Sequence, residues 1–195
     1  MEAEWPLLHA GSGVLRAGAW AEFVALAEHL AAPVTTSQGA RGVIPEDHPL
    51  CAIPGSFGAL GAQAEADLVL LVGGRMGDID FWGKPPAWGE WIGPQKWIQV
   101  DLEPQNIALN RPVDLALVGD ARATLSLLLE AVKARTGPRQ PHANMQDVRE
   151  AMDAWFGQFE EAGSDAVPIH PLRLMREVRE FFPRQAVSSV DGGNT

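Results

Sequence analysis

The chain has 195 residues, 15 Lys and Arg against 25 Asp and Glu, a formal net charge of -10, one cysteine, and 46% hydrophobic with 21% charged residues. Such a length buries roughly 70% of the surface its unfolded form exposes, which suffices for one globular domain with some chain to spare and needs no disulfide or metal staple. The acidic excess is unrelieved by any Lys/Arg run, no apolar run reaches membrane-spanning length, and Met1-Glu2-Ala3-Glu4 is unlike a signal peptide, so nucleic-acid and membrane partners are set aside in favour of a soluble cytoplasmic protein.

Trp5-Pro6-Leu7-Leu8-His9-Ala10 is a short apolar run closed by Gly11-Ser12-Gly13, the pattern of a buried strand feeding a tight turn. Trp20, Phe23, Val24, Ala27, Leu30 and Ala31 then recur at three- and four-residue spacings with Glu22 and Glu28 off the stripe, which predicts an amphipathic helix over 17–32. A second strand is expected at 33–37. The stretch 39–61, rich in Gly and Pro, reads as a long ordered loop with one helical turn before Ala64.

Asp67-Leu68-Val69-Leu70-Leu71-Val72 is the clearest strand, a continuous apolar run of the kind buried on both faces in a parallel sheet, and it ends on Gly73-Gly74-Arg75. After an aromatic loop, 96–100 makes a fourth strand ending on Asp101. A fifth, 113–118, ends on Gly119-Asp120, with Asp120 capping a helix over 121–135. Beyond the linker Thr136-Gly137-Pro138-Arg139-Gln140-Pro141, Val148, Met152, Trp155, Phe156 and Phe159 form one face of a further helix. A second linker at 163–168 leads to a helix opened by His170-Pro171 and stopped by Pro183, then a last strand at 185–190 before Asp191-Gly192-Gly193. Strands alternating with crossovers predict a doubly wound α/β fold around a mostly parallel sheet of about six strands.

In such a sheet ligands bind outside the carboxyl ends of the strands. The residues there are glycines for close backbone approach, one guanidinium for a phosphate and carboxylates for ribose hydroxyls, either a nucleotide groove or simply the turns and caps such a sheet requires. Gly11-x-Gly13-x-x-Arg16 lacks the third glycine of the dinucleotide fingerprint, and Thr35-Thr36-Ser37 lacks the acid that grips a nicotinamide ribose, so NAD loses weight. No catalytic set and no metal-ligand spacing emerge. His48 and His170, each before a Pro, read as turn or cap residues, and Cys51 as a structural thiol. The loop from Asp80 to Gly93, with Trp82, Trp88 and Trp91, is either a plug over its own domain or a partner surface; the partner surface is the reading taken.

Gly39-Ala40-Arg41-Gly42-Val43-Ile44-Pro45-Glu46-Asp47-His48-Pro49-Leu50 resembles the loop after the second central strand in thiamine diphosphate-dependent 2-oxo acid enzymes of the acetolactate synthase type. Leu70-Leu71-Val72-Gly73-Gly74-Arg75-Met76, Ile98-Gln99-Val100-Asp101-Leu102-Glu103-Pro104 and Leu117-Val118-Gly119-Asp120-Ala121 resemble three further segments of that central domain, in order and spacing. The resemblance implies a Rossmann-like central domain of the DHS-like NAD/FAD-binding type at 1–136, a linker with one amphipathic helix at 137–167, and the truncated start of the diphosphate-binding domain at 168–195. It implies a parent that decarboxylates or ligates a small 2-oxo acid with thiamine diphosphate and Mg, forms a homo-oligomer, and carries flanking domains that hold the activating glutamate and the Mg signature. The ending at Asn194-Thr195 accordingly reads as a break within a longer enzyme, and the fragment alone as inactive.

Some relatives hold FAD in this domain and others ADP or nothing. By resemblance, Gly11, Gly13, Thr35, Gly74, Arg75, Asp101, Leu102, Gly119 and Asp120 fall at flavin-nucleotide positions, and Asp191, Gly192, Gly193 and Asn194 at a turn near the thiamine diphosphate. Two positions depart from the flavin pattern: Met76-Gly77-Asp78-Ile79-Asp80 replaces an aromatic, two acids and an arginine, and Asn106 replaces a glutamate. The alternative is a stand-alone FAD- or nucleotide-binding protein that shares the fold.

Overall fold

The computed structural model describes residues 3–160, 163, 165, 167–187 and 189. Five parallel strands, β1 (Pro6–Ala10), β2 (Val34–Thr36), β3 (Leu68–Val72), β4 (Lys96–Asp101) and β5 (Leu115–Val118), lie in the order β2-β1-β3-β4-β5. Parallel neighbours need crossovers: α1 (Ser12–Arg16) and α2 (Trp20–Leu30) link β1 to β2 and α3 (Phe57–Glu65) links β2 to β3, while β3–β4 and β4–β5 are joined without an α-helix; α4 (Ala121–Lys133), α5 (Asn144–Glu160) and α6 (Pro171–Phe181) follow β5.

Side-chain alternation along the strands sorts the core into two layers. Leu8, Ala10, Leu70, Val72 and Val100 pack with Val14, Phe23, Leu26 and Leu125 from α1, α2 and α4. On the opposite face Leu7, Val69, Leu71 and Trp97 pack with Ala59 and Ala62 of α3 and Met145, Val148 and Met152 of α5. Asp67 holds the entry to β1 through its side chain, which accepts the Glu4 and Trp5 N–H groups at 2.6 and 3.1 Å.

The expectation of about six strands resolves into five and a vestige. Val34 pairs in parallel with Cys51 alone, donating to the Leu50 carbonyl at 2.7 Å and accepting from Ala52 N–H at 2.8 Å, so the sheet has a single-residue extension outside β2. Where a final strand was expected at 185–190, Gln185 is in a turn and Ala186 and Val187 are irregular; 188 and 190 lie outside the described residues.

The 39–61 loop is shorter than expected, because α3 starts at Phe57 with the Ser56 hydroxyl accepting Ala59 N–H at 3.1 Å. Asp120 caps α4 through Ala123 N–H at 2.9 Å, and His170 Nδ1 caps α6 through Leu172 N–H at 3.3 Å, both as expected. Gly11-Ser12-Gly13 is the entry to α1 and not a free turn.

The chain divides into two compact units, Met1–Asp153 and Ala154–Thr195. In the second, Trp155 stacks edge-on with Phe156 and Phe159, and these rings with Leu172 and Arg176 line an apolar hollow of about 440 Å³.

Candidate functional site

The strand order reverses beside β1: the chain leaves β2 on one side of it and re-enters the sheet as β3 on the other. At this switch the loops after β1 and β3 diverge and leave a crevice. A groove of about 830 Å³ occupies it, extending past the ends of β4 and β5 to the first residues of α4.

Its floor is glycine because two turns touch there. A Cβ on Gly11 would lie 2.2 Å from the Gly73 carbonyl oxygen, and one on Gly13 would lie 2.7 Å from Gly73 Cα. Gly73 has a φ of +61° and would itself meet Gly13 Cα at 2.6 Å. The glycines therefore serve the approach of one loop to the other, and the groove lies above that junction.

Gln99 of β4, buried, ties the wall together. Its amide donates to the Gly74 and Asn106 carbonyls, both at 3.0 Å, and its oxygen accepts Ala108 N–H at 2.8 Å. Asp101 Oδ1 accepts the Glu103 backbone N–H at 2.9 Å and the Asn106 side-chain amide at 3.1 Å. Asn106, the departure from the glutamate pattern, is thus a partner that orients Asp101.

Of the positions expected from the sequence, Gly11, Gly13, Gly74, Arg75, Asp101, Leu102 and Asp120 line the groove. Thr35 and Gly119 do not. Thr35 is fully buried, with its hydroxyl bonded to His9 Nδ1 at 2.8 Å, and Gly119 spends its N–H on the Asp101 carbonyl at 2.9 Å. Asp191, Gly192, Gly193 and Asn194 lie outside the described residues.

Sequence reasoning missed Arg16 and Asp80, which also line the groove. Arg16 shares one face of α1 with the groove, a placement only the short helix reveals. Neither Arg16 nor Arg75 forms an ion pair among the described residues, although five carboxylates, Asp78, Asp80, Asp101, Glu103 and Asp120, line the same groove. Two unpaired guanidiniums over a glycine floor fit a diphosphate, while the carboxylates around them restrict how much anionic charge the groove tolerates.

Beneath the groove His9 is 1% exposed, and burial drives its pKa down to about 3, so the imidazole is neutral. Asp80 Oδ1 lies 3.7 Å from His9 Nε2. Burial chiefly, opposed by the Gly77 hydrogen bond and aided by the Asp78 charge, pushes the Asp80 carboxyl up to about 6.

The aromatic loop is both plug and surface. Trp88 is buried, donates its indole N–H to the Asp80 carbonyl at 2.9 Å and packs on Trp97 at 5.0 Å, so this part of the partner-surface expectation is corrected. Phe81, Trp82, Trp91 and Ile92 remain exposed. The backbone between them is held by Arg111, itself buried, which donates to the Gly83, Gly89 and Glu90 carbonyls and lies 4.5 Å over the Trp97 ring. Gln95 adds bonds to the Gln63 and Ala66 carbonyls and accepts from Trp97 and Gly89. Among the described residues no three His, Cys, Asp or Glu side chains gather as metal ligands, and no helix is long and apolar enough to cross a membrane.

Residues 1–128 match the family model of the thiamine pyrophosphate enzyme central domain. The chain is 34% identical over 178 residues to an acetolactate synthase large subunit of Corynebacterium glutamicum, covering 86% of this chain and 27% of that protein. It is 30% identical over 220 residues to a sulfoacetaldehyde acetyltransferase of Rhodobacter capsulatus, covering 98% of this chain and 36% of that one. An X-ray structure from Mycobacterium smegmatis, assigned to the thiamin diphosphate-dependent enzymes, superposes with a TM-score of 0.54 at 31% identity, covering 72% of this chain and 28% of the other. The chain thus spans about a quarter to a third of the length of these relatives.

Proposed function

Because the chain belongs to the thiamine pyrophosphate enzyme central-domain family, we infer that its switch-point groove is a nucleotide-diphosphate site within a thiamine diphosphate-dependent enzyme that acts on a 2-oxo acid. The observation that carries this is the pair of unpaired guanidiniums, Arg16 and Arg75, beside the glycine junction at the carboxyl ends of β1 and β3. Arg75 suits a phosphate oxygen as a bidentate donor, and Asp101, oriented by Asn106, suits ribose hydroxyls. ADP and FAD are the ligands considered, and the groove would place the nucleotide without reacting with it.

Thiamine diphosphate, with Mg, would supply the electron sink for 2-oxo acid chemistry. The residues read as nearest its diphosphate, 191–194, lie outside the described residues, so the roles of this chain are binding and orientation. The domain boundaries at 136–137 and 167–168, the flanking domains, a homo-oligomer and a cytoplasmic location belong to this same reading. The family match disfavours the alternative of an unrelated stand-alone nucleotide-binding protein.

Calorimetric titration of the chain with ADP, FAD and NAD tests it. ADP or FAD should bind, with Arg75→Ala weakening binding about 10- to 100-fold, the range of one charge-assisted hydrogen bond. Binding that survives Arg75→Ala and Arg16→Ala undiminished would place the ligand elsewhere.

A further inference from the structure

Asp80 stands where the groove, the buried imidazole and the aromatic plug meet. Its side chain lines the groove and is 14% exposed. His9 Nε2, 3.7 Å from Asp80 Oδ1, is buried without a hydrogen-bond partner among the described residues, although Nδ1 is bonded to Thr35. The main chain of Asp80 is fixed from the other side, where its carbonyl accepts the Trp88 indole N–H and the Trp88 ring meets His9 edge-on at 5.2 Å. A carboxyl group therefore faces an unsatisfied ring nitrogen just beyond bonding distance, with an open groove on its other side.

We propose that Asp80 is a proton-linked specificity residue: neutral, it bonds His9 and admits a phosphate-bearing anion to the groove, and ionised, it repels that anion. The proposal rests on the reading of the groove as a nucleotide-diphosphate site. Neutral imidazole serves both states. When Asp80 carries its proton, Nε2 accepts it and Nδ1–H donates to Thr35; when Asp80 is ionised, Nε2–H donates and the Thr35 hydroxyl turns to Nδ1. His9 from β1 and Asp78 in its own loop act on Asp80 directly, and the charged groups that share the groove with it are Arg16 from α1, Arg75 after β3, Asp101 and Glu103 at the end of β4, and Asp120 before α4. With Asp80 at about 6 and His9 at about 3, only the carboxyl changes charge near neutrality. A bound anion raises the carboxyl further, so binding takes up a proton and weakens as pH rises.

The test uses the full chain with FAD and ADP-ribose, whose pyrophosphate diesters keep constant charge between pH 5.5 and 7.5. Calorimetry in two buffers of different ionisation enthalpy should show Kd rising about tenfold or more across that range, with uptake of close to one proton near neutrality. Asp80→Asn should bind at pH 7.5 about as tightly as the parent does at 5.5, without pH dependence, whereas Asp78→Asn should keep a pH dependence. A pH-independent parent, or an Asp80→Asn variant with the parent's pH dependence, overturns the proposal and leaves the nucleotide reading standing. Failure of both ligands to bind parent and variant at every pH overturns the nucleotide reading and the proposal with it.

Discussion

Gly58 and Gly61 lie one turn apart in α3, yet a methyl group meets opposite surroundings at each. At Gly58 it would come within 2.2 Å of the Val148 carbonyl oxygen and 2.7 Å of Met152 Cγ, whereas at Gly61 nothing lies within 4 Å. Gly61→Ala therefore gains helix propensity alone, about 1 kcal/mol, or about 2–4 °C in Tm for a chain of this size. Gly58→Ala gains the same propensity but forces α5 away from α3 where Met145, Val148 and Met152 are buried. Overpacking costs about 1–3 kcal/mol, and a collision with backbone, which cannot rotate aside, belongs at the upper end, leaving a net loss of about 2 kcal/mol. The two variants should thus differ by about 3 kcal/mol in urea unfolding followed by tryptophan fluorescence, at an unchanged m-value. If Gly58→Ala proves as stable as Gly61→Ala, the close approach of α5 to α3 is wrong.

Arg111→Met should cost about 3 kcal/mol, since it strips the buried Gly83 carbonyl and the part-buried Gly89 and Glu90 carbonyls of their donor, and should shift Trp88 emission to the red; unchanged emission and stability would deny Arg111 its role as the loop's anchor. Burial, with a push from Glu46, raises the Cys51 thiol to about 11, so disulfide reagents at pH 8 should label it only as fast as the chain opens. Rapid labelling of the native chain in the absence of urea would contradict that. Asp80 and His9 give opposite pH slopes. With its folded pKa raised from 3.8 to about 6, Asp80 contributes stability that is present at low pH and lost as pH rises through 6. With its folded pKa lowered from 6.5 to about 3, His9 contributes stability that is lost as pH falls below 6.5. Removing the first slope, Asp80→Asn should leave stability climbing between about pH 4 and 6 and exceed the parent by about 1–3 kcal/mol at pH 7.5; parallel pH curves for parent and variant would count against a raised Asp80.

The strands were legible because β3 and β5 are continuous apolar runs and β1, β2 and β4 are short segments of apolar or β-branched residues with few polar ones, and most of the groove followed because its lining sits immediately after them. The α3 helix was hidden by Pro54, Gly55, Gly58 and Gly61, residues that signal loop locally while Gly58 answers to a helix distant in sequence. Thr35, expected in the groove from the family resemblance, is the middle residue of β2, and its hydroxyl is taken up by His9 on the neighbouring strand. Gln99, Gln95 and Arg111 carried no signal at all. Their value lies in which backbone carbonyls stand opposite them, and that is set only once the chain has folded.

The glycine junction under the groove also limits how a descendant of this protein could change. A side chain on Gly11 or Gly13 would strike the Gly73 backbone and one on Gly73 would strike the Gly13 backbone, so a side chain gained on one turn cannot be offset by a smaller residue on the other. No stepwise mutational route leads away from this floor. The rim residues, Arg16, Arg75, Asp80 and Asn106, have side chains that can be shortened or exchanged one at a time, so new ligand preferences would have to arise there, on a floor inherited unchanged.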